Sequence, residues 1–372
     1  MINFSKADSI LSQAVGTITP AAQLVIRHQG GVVHDVAMGF LDPETKVRPV
    51  NAETLFDLAS LTKLFTTTAF MLLVEQGKVS VDDPVCNVLP EFSGMRPIQP
   101  YENPLAWGET VSVADQAGMV DAGKVTFRNL LAHNSGLPAW RAFKDQPDAE
   151  SATRLALDTF FSYPLGERVL YSDVGLILLG LALSTLTGSP LEEAIYQRVT
   201  KPLELSAHYQ PTVPFQLAQN IAPTEFCKWR RRRIVGEVHD ESAWRLGGVA
   251  GHAGLFGHAH DVAAFGQSFL DASLLRREAI SEMTRLQAEF DCTRRGLGFA
   301  LWSPDPEASS NPFSPSTFGH TGFTGTCLWV DPARALVVAL LTNEVYNGRE
   351  GRRIADLRVQ IHRAIVESLD AA

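Results

Sequence analysis

Apolar residues and threonines fill every side of one stretch of the chain, at positions 61–74. A helix that is apolar all round is typical of the interior of a large domain, and Gly77 is a suitable end for it. The stretch is too short, and carries Lys63 too near its start, to be a membrane span. The pattern therefore predicts a buried helix that begins near Ser60.

Strand-like apolar runs lie toward both ends of the chain. Two of them, at 22–27 and 32–38, are joined through Gly30 and Gly31, and this arrangement predicts a β-hairpin. The other runs predict an antiparallel meander, at 297–302, 317–323, 326–330 and 335–342. A compact sheet made from both chain ends must then receive the middle of the chain as an insertion.

Helical periodicity occupies most of that middle and both flanks. It predicts helices at 5–15, 126–131, 150–162, 173–187, 190–199, 259–270, 274–288 and 353–369. The last of these has an apolar stripe, Ile354, Leu357, Ile361 and Ile365. Prolines and glycines divide 78–124 into short pieces, and 205–254 is irregular. We expect an α+β protein with a sheet domain from residues 1–58 and 290–372, an inserted helical domain at 59–289, and the Ser60 helix between them.

Composition and charge narrow the classes of function. The 372 residues are 45% hydrophobic and 20% charged, enough for a substantial core. The net charge of −9 argues against nucleic acid as a partner, although Arg230–Arg233 is a local basic exception. The first residues show no signal-peptide pattern, so we expect a cytoplasmic location, or a periplasmic one if the sequence has been trimmed. The cysteines lack paired spacing, at Cys86, Cys227, Cys292 and Cys327, and are expected to be reduced.

Ser60 and Lys63 form the first candidate for chemistry. Residues three apart on a helix leave the same face, about 5 to 6 Å apart. A serine hydroxyl becomes a nucleophile when a neighbour takes its proton, and burial is expected to lower the pKa of the lysine for that task. The pair taken alone is more often a coincidence than a catalytic dyad.

A second polar cluster contains His239 and Asp240 and precedes a glycine-rich loop at 247–254. One interpretation is a metal site formed by His252, His258, His260 and Asp261, although these lack established ligand spacing. Another is a structural loop packed closely under the sheet. A third is a cleft wall, where Arg230–Arg233 would steer a substrate carboxylate toward Ser60. We assign no metal to the chain.

Three motifs then stand in order along the chain, Ser60-Leu61-Thr62-Lys63, Tyr171-Ser172-Asp173 and His320-Thr321-Gly322, with His133-Asn134-Ser135-Gly136-Leu137-Pro138 between the first two. Together they resemble the serine β-lactamase and penicillin-binding protein superfamily. The chain is most similar to the class C-like branch, which includes D-alanyl-D-alanine carboxypeptidases and family VIII-type esterases. The resemblance implies a β-lactamase/transpeptidase-like fold, an antiparallel sheet flanked by terminal helices with an inserted, mostly helical domain.

The resemblance also implies roles for residues. Ser60 would be the acylated nucleophile, Lys63 would order the proton network, and Tyr171, with its pKa lowered by cations, would act as base and acid. The backbone N–H groups of Ser60 and Phe323 would form the oxyanion hole. The substrate would lie along the strand of His320, Thr321 and Gly322, as an added strand.

Two residues depart from the family pattern. The family often has lysine where His320 stands, and a histidine with an ordinary pKa near 6.5 carries less positive charge at neutral pH. If its imidazolium helps to bind an anionic substrate, kcat/KM should fall as the pH rises from 6 to 8. The family more often has asparagine where Asp173 stands, and an ionised aspartate accepts hydrogen bonds but cannot donate them. Efficient β-lactam hydrolysis is therefore less expected than esterase or peptidase action. Asp173 could also simply cap the helix that follows it.

The sequence thus predicts a serine hydrolase that forms an acyl-enzyme with an ester or amide. Its type would be a carboxylesterase or a D-amino-acid peptidase, with β-lactam hydrolysis weak at most. No cofactor is expected, and the partner is a small-molecule ester, amide or peptide rather than nucleic acid or membrane; the oligomeric state is left open. The alternative is a penicillin-binding or sensor protein that acylates without turnover, which would show a burst of product without a steady state.

Overall fold

An eight-stranded antiparallel sheet built from both ends of the chain lies at the centre of the protein. The computed structural model describes residues 2–103, 106, 108–113, 118–209 and 220–372. The strands of this sheet are, in chain order, β1 Ala21–His28, β2 Gly31–Gly39, β3 Ala288–Phe290, β4 Thr293–Arg295, β5 Ala300–Leu301, β6 Phe318–Thr321, β7 Cys327–Asp331 and β8 Leu336–Thr342. They lie side by side in the order β3-β4-β5-β6-β7-β8-β1-β2. The N-terminal hairpin is thus joined to the C-terminal meander, with Ala22 of β1 opposite Thr342 of β8.

Helices cover both faces of the sheet and fill the middle of the chain. In the described residues they are α1 Ser5–Ala14, α2 Thr62–Glu75, α3 Phe127–Leu131, α4 Ala149–Leu157, α5 Asp173–Thr187, α6 Leu191–Ile195, α7 Glu241–Arg245, α8 Ala259–Asp271, α9 Arg277–Thr284 and α10 Ile354–Asp370. A π-helical turn, Tyr196–Thr200, continues α6.

Short strands pair outside the main sheet. The pairs are Met95–Pro97 with Met119–Asp121, Tyr101–Glu102 with Thr110–Val111, and Phe226–Cys227 with Arg232–Arg233. In a further small sheet, Leu255–Gly257 lies between Phe56–Asp57 and His208–Tyr209. This last sheet holds the chain that enters Ser60 beside the end of the glycine-rich loop.

The two faces of the sheet are covered by different helices. One face packs against α1 and α10, and the predicted stripe of α10 is buried there, at Ile354, Leu357, Ile361 and Ile365. The other face packs against α8, where a Cβ on Gly266 would lie 2.7 Å from a methyl group of Val337, so glycine permits the close approach. Phe65 of α2 stacks on Phe265 of α8 with ring centroids 4.1 Å apart. The helix that follows Ser60 is thereby fixed to the sheet.

The buried helix predicted after Ser60 matches α2, in which Lys63 is fully buried. Among the described residues, no single helix combines the length and the apolar composition that crossing a membrane requires. Within the part of the chain that the structure describes, one pair of helices, Asp173–Thr187 and Leu191–Thr200, passes that test together by length and composition alone, and it is bent by 79°.

Three predicted elements differ from the observed ones. The helix predicted at 150–162 ends at Leu157. The strand predicted at 297–302 is reduced to β5, because Gly298 has a φ of +76° and interrupts the extended chain. The helix predicted at 274–288 is the shorter α9, and β3 and β4 follow it. Those two strands were not predicted because each has only three residues, too few for an alternation of apolar and polar positions to be recognised.

The domain division stays a prediction. Both chain ends do contribute the strands of the main sheet, and most of 59–289 is helical. However, α8 lies within the predicted insertion and packs on β1 and β8 of the sheet. The third strand of the sheet also begins two residues before 290.

Candidate active site

Ser60 lies at the start of α2 with two polar side chains on its hydroxyl. It occupies a one-turn 3₁₀ helix, Ala59–Leu61, which runs directly into α2. The Lys63 Nζ donates to Ser60 Oγ over 2.9 Å, and the Tyr171 hydroxyl donates to the same oxygen over 2.7 Å. The structure therefore brings together the three residues that the first two motifs separate by more than a hundred positions.

The loop 133–139 holds Tyr171 in this place. The carbonyl of His133 accepts from the N–H of Leu170 over 2.8 Å, and the Nδ1 of His133 accepts from the N–H of Ser172 over 3.1 Å. The Ser172 hydroxyl donates to the carbonyl of Pro138 over 2.6 Å. The His133 ring also lies 4.8 Å from the ring of Tyr171. Contacts on both sides of Tyr171 thus fix the direction of its phenol.

Lys63 keeps its proton. Its Nζ lies 2.8 Å from Asp173 Oδ1 and donates to the carbonyl of His252 over 2.9 Å. Burial opposes the charge, but the carboxylate of Asp173, with the oxygen of Tyr171, raises the pKa of Lys63 above its usual value. The expectation that burial would lower this pKa is wrong, because Asp173 more than offsets the loss of solvent. Lys63 is an ammonium at neutral pH.

Tyr171 is likewise neutral in the resting site. Burial raises the pKa of its phenol, and the ammonium of Lys63 offsets this only in part. The predicted lowering of the Tyr171 pKa by cations is therefore wrong. Lys63 Nζ lies 4.9 Å from the centre of the Tyr171 ring, and the guanidinium carbon of Arg295 lies 5.3 Å from it. Both charges are close enough to stabilise a phenolate when it forms during turnover.

Asp173 is a partner of Lys63 rather than a helix cap. The cap of α5 is Ser172, whose side chain accepts from the N–H of Gly175 over 3.2 Å. Asp173 is the first residue of the helix, and its carboxylate points back to Lys63. The capping interpretation of Asp173 is wrong. The aspartate that replaces the usual asparagine therefore determines the charge of the lysine.

The loop after β6 approaches Ser60 closely. Thr324 Oγ1 donates to the carbonyl of Asp57 over 2.8 Å, and Thr326 Oγ1 donates to the carbonyl of Leu58 over 3.0 Å. A Cβ on Gly322 would lie 2.7 Å from the carbonyl oxygen of Leu58, so this position requires glycine.

Ser60 and Phe323 both line the cleft beside this contact. Their backbone N–H groups donate to no acceptor among the residues that the structure describes. Free N–H groups at this place are what the proposed oxyanion hole needs. The structure leaves them available without testing that role.

His320 is neutral at physiological pH. Its side chain lies in β6 and is buried, its Nδ1 donates to the carbonyl of Thr321 over 2.7 Å, and its Nε2 has no hydrogen-bond partner among the described residues. Burial, with the charges of Arg295 and Lys63 nearby, holds the pKa of His320 well below its usual range. The expectation of an imidazolium that binds anions at this position is wrong.

The pH profile checks this charge state. A histidine whose pKa is lowered is already uncharged at pH 6, so it has no charge to lose as the pH rises to 8. We expect the ratio of wild-type kcat/KM to that of His320→Gln, measured with an anionic substrate, to stay constant between pH 6 and 8. A ratio that falls across this range would show that the imidazolium contributes to binding.

The arginines of the cleft differ from those predicted. The cleft has a volume of about 750 Å³, and the arginines that line it are Arg294, Arg295, Arg349, Arg352 and Arg358. In the basic run, Arg230 donates to the carbonyl of Val238, Arg232 pairs with Glu237, and Arg233 donates to the carbonyl of Tyr346. The predicted cleft wall is present, since His239, Asp240 and His252 line the cleft. Arg230–Arg233 do not line it, and the prediction that they steer a substrate carboxylate toward Ser60 is wrong. Neighbouring acceptors bind these side chains outside the cleft.

Arg295 is the cleft arginine whose charge is least compensated. Arg294 lies 3.3 Å from Glu289, Arg349 contacts Glu225 and Glu241, and Arg352 contacts Glu344 at 2.6 Å. Neither Arg358 nor Arg295 has a carboxylate partner among the described residues, but Arg358 donates to the carbonyls of Gly322 and Thr326. The Nε and Nη1 of Arg295, by contrast, are buried without an acceptor among these residues. An unpaired guanidinium in a cleft attracts anions.

The histidines of the proposed metal site do not converge. His252 lies 2.9 Å from Asp240, His258 lies 3.6 Å from Asp261, and His260 lies 2.8 Å from Asp35. Among the described residues, two groups do bring ligand-type atoms within 4.8 Å of one another, and these are Asp173 with Asp240 and His252, and Glu225 with Cys227 and Glu241. Lys63 contacts the first group and Arg349 the second, so protein cations already occupy both.

Asp240 and the glycine-rich loop complete this wall of the cleft. Although burial opposes its charge, the adjacent His252 lowers the pKa of Asp240, so that carboxylate is ionised. The loop packs against α5 rather than under the sheet: a Cβ on Gly251 would lie 2.1 Å from the carbonyl of Leu176 and 2.9 Å from the nitrogen of Gly180. The sequence predicted that this loop packs closely, but it did not predict that α5 is the element it packs against.

Two residues of the site, Asp57 and Arg295, were missed from the sequence. His133 was recognised as part of a motif but was given no role. Asp57 lies three positions before Ser60, and this closeness to the first motif is the signal that could have identified it. Arg295 carries no such signal, because it lies in a three-residue strand among several arginines.

Known proteins are similar to this one over nearly the whole chain. Residues 7–363 match a family model described as Beta-lactamase. A Bacillus subtilis (strain 168) protein named "N-acetylmuramyl-L-alanine amidase" is 32% identical, covering 91% of this chain and 80% of that protein. An Escherichia coli (strain K12) protein named "Putative D-alanyl-D-alanine carboxypeptidase" is 30% identical, covering 92% of this chain and 82% of that protein.

Among solved structures, "EstCE1, a hydrolase with promiscuous acyltransferase activity" has a TM-score of 0.73 and 22% identity, covering 95% of this chain and 98% of that one. At this identity the likeness shows the fold alone. It confirms the predicted β-lactamase/transpeptidase-like architecture.

Proposed function

Because the chain belongs to the β-lactamase family and is a hydrolase of the serine type, we propose that it cleaves an amide or peptide that carries a carboxylate. One observation carries the proposal: Ser60 Oγ lies 2.9 Å from Lys63 Nζ and 2.7 Å from the Tyr171 hydroxyl, at the floor of an open cleft. A serine held this way is set for nucleophilic attack.

The charge states give each residue a task. The resting phenol of Tyr171 first loses its proton to solvent, and the ammonium of Lys63 stabilises the phenolate that results. This phenolate takes the proton of Ser60 while Oγ bonds to the substrate's carbonyl carbon and the C=O π electrons move onto the carbonyl oxygen. The same phenol then gives the proton to the leaving amine as the C–N bond breaks. Water attacks the acyl-enzyme by the reverse sequence of proton transfers, and the acid leaves. The N–H groups of Ser60 and Phe323 would stabilise the oxyanion in both halves of the reaction.

The unpaired Arg295 supports a substrate with a carboxylate. A guanidinium presents paired N–H donors that match a carboxylate, and its attraction is stronger in a partly buried cleft than in water. The side chain lies beside Tyr171, so the anion would sit near the scissile bond. The two named relatives, an amidase and a carboxypeptidase, agree with a peptide-like substrate of this class.

Replacing Arg295 by glutamine tests the substrate class. With a peptide that has a free carboxylate near the scissile bond, we expect kcat/KM to fall roughly 10- to 100-fold, since a hydrogen bond to a charged group contributes about 1.5 to 3 kcal/mol. With the same peptide carrying a neutral amide in place of the carboxylate, the loss should be small.

Arg294→Gln is the matched control, because the adjacent Arg294 is paired with Glu289 and donates to the carbonyl of Trp302. If Arg295→Gln lowers kcat/KM equally for the charged and the neutral peptide, the substrate does not need a carboxylate. The proposal that the protein is a hydrolase would still stand.

A further inference from the structure

Asp57 is a buried carboxylate directly below Ser60 that the proposed mechanism does not use. Its side chain is only 2% exposed. Asp57 Oδ1 accepts from the N–H of Ala59 over 2.8 Å, and Oδ2 accepts from the N–H of His239 over 2.6 Å. No lysine or arginine pairs with it among the described residues. A carboxylate buried without a cationic partner is costly, so a role beyond stability is expected.

The first of these bonds fixes the backbone before Ser60. Ala59 has a φ of +48°, in the left-handed region that residues other than glycine seldom adopt. Its N–H is held by Asp57 Oδ1, and its conformation sets the direction of the next peptide group, whose N–H belongs to Ser60. Asp57 therefore stabilises the backbone that points the Ser60 N–H into the cleft.

The second bond reaches the loop that carries Phe323. The ring of His239 stacks on the ring of Phe323, with centroids 5.6 Å apart and planes at 18°. The main-chain carbonyl of Asp57 also accepts from Thr324 Oγ1 over 2.8 Å. Asp57 thus contacts Thr324, the residue after Phe323, directly through its main-chain carbonyl, and it contacts the ring of Phe323 indirectly through His239.

We infer that Asp57 is a positioning residue that aligns both N–H donors of the oxyanion hole, those of Ser60 and Phe323. The inference rests on the proposed function, because it presupposes that an oxyanion forms at this place. The carboxylate touches no substrate. It acts on the transition state by holding the backbone at Ala59 and at His239, which are 180 positions apart in the chain, and it reaches Phe323 through the ring of His239.

Asp57→Asn is the test. An amide of the same shape keeps one acceptor oxygen but turns an NH₂ group toward the N–H of Ala59 or His239, so one bond is lost. We expect kcat to fall roughly 10- to 100-fold with KM changed less than about threefold, below the 10² to 10³ for complete loss of an oxyanion donor. Affinity for a boronic acid, which forms a tetrahedral adduct on Ser60, should fall by a similar factor.

Asp331→Asn is the matched control. Asp331 is another aspartate only 1% exposed, and it accepts from the backbone N–H groups of Ser314 and Ala333 at 2.9 and 3.1 Å, outside the cleft. Because Asp331 also lies 3.4 Å from Arg334, this substitution should lower the melting temperature at least as much as Asp57→Asn does, with kcat and boronate affinity unchanged. If Asp57→Asn does not fold, Thr324→Val, which removes only the bond to the Asp57 carbonyl, should show the same split between kcat and KM on a smaller scale.

The outcomes distinguish a failure of this inference from a failure of the proposed function. Labelling of wild-type Ser60 by a fluorophosphonate would support the hydrolase. If Asp57→Asn, or Thr324→Val in its place, then loses no more boronate affinity than Asp331→Asn does, the inference is overturned and the hydrolase stands. If the wild-type protein is not labelled at Ser60, the proposed function fails and the inference fails with it.

Discussion

Ser60→Ala is expected to abolish hydrolysis of p-nitrophenyl esters and of peptide substrates, with a fall in kcat of roughly 10⁴ or more. The reason is that the alcohol supplies the atom that bonds to the substrate, and neither Lys63 nor Tyr171 can replace it. Lys63 keeps its contacts with Asp173 and the carbonyl of His252, so the fold should remain. The measurement combines steady-state rates with intact-mass detection of an acyl adduct, which should disappear.

Ser309→Ala is a suitable control, because Ser309 lines the same cleft away from Lys63. It should retain full turnover and the adduct. Unaltered turnover in Ser60→Ala would remove the nucleophile assignment. A wild-type adduct that forms stoichiometrically and is never hydrolysed would instead favour a sensor protein that acylates without turnover.

Tyr171→Phe has the second largest expected effect. The phenyl ring keeps the packing against His133 but loses the hydroxyl that contacts Ser60 Oγ, so binding should remain while proton transfer fails. We expect kcat to fall by roughly 10² to 10⁴, the range for general acid–base catalysis. Since the pKa of Tyr171 is raised, wild-type kcat should increase from neutral to alkaline pH as the phenolate becomes accessible, and this increase should be absent in the variant.

Tyr209→Phe provides the comparison, because Tyr209 is also a buried tyrosine and its hydroxyl donates to the carbonyl of Ala250 over 3.0 Å. It should lose some stability, of about 1 kcal/mol, and keep its kcat and pH profile. Retention of turnover and of the alkaline increase in Tyr171→Phe would assign the proton transfer to another group.

The α2 helix shows which features can be predicted from residues that are close together in the sequence. Its apolar surface predicted burial, and the three-residue spacing of Ser60 and Lys63 predicted their contact, because both follow from helix geometry within one turn. The hairpin of β1 and β2 and the stripe of α10 were predictable for the same reason. The short strands β3 and β4 were not, because pairing with neighbours, and not their own residues, makes them strands.

The proposed roles of the site residues and the cytoplasmic location stay predictions, while the family and the fold are confirmed. Where the sequence-based account of the site was wrong, the errors concerned charge or position. The prediction for the charge of Lys63 omitted the distant carboxylate of Asp173, and those for Tyr171 and His320 omitted burial. The capping by Asp173 and the steering by Arg230–Arg233 were wrong because the tertiary structure decides where these side chains lie.

The sequence by itself determined which residues could do chemistry and which elements carry them, because helix and strand periodicities are properties of neighbouring positions. Only the tertiary structure decided the protonation states, the unpaired Arg295 and the position of Asp57 under the cleft. Those depend on desolvation and on charges a few ångströms away in space but far along the chain: Asp173 lies 110 positions from Lys63, and its carboxylate lies 2.8 Å from the lysine nitrogen.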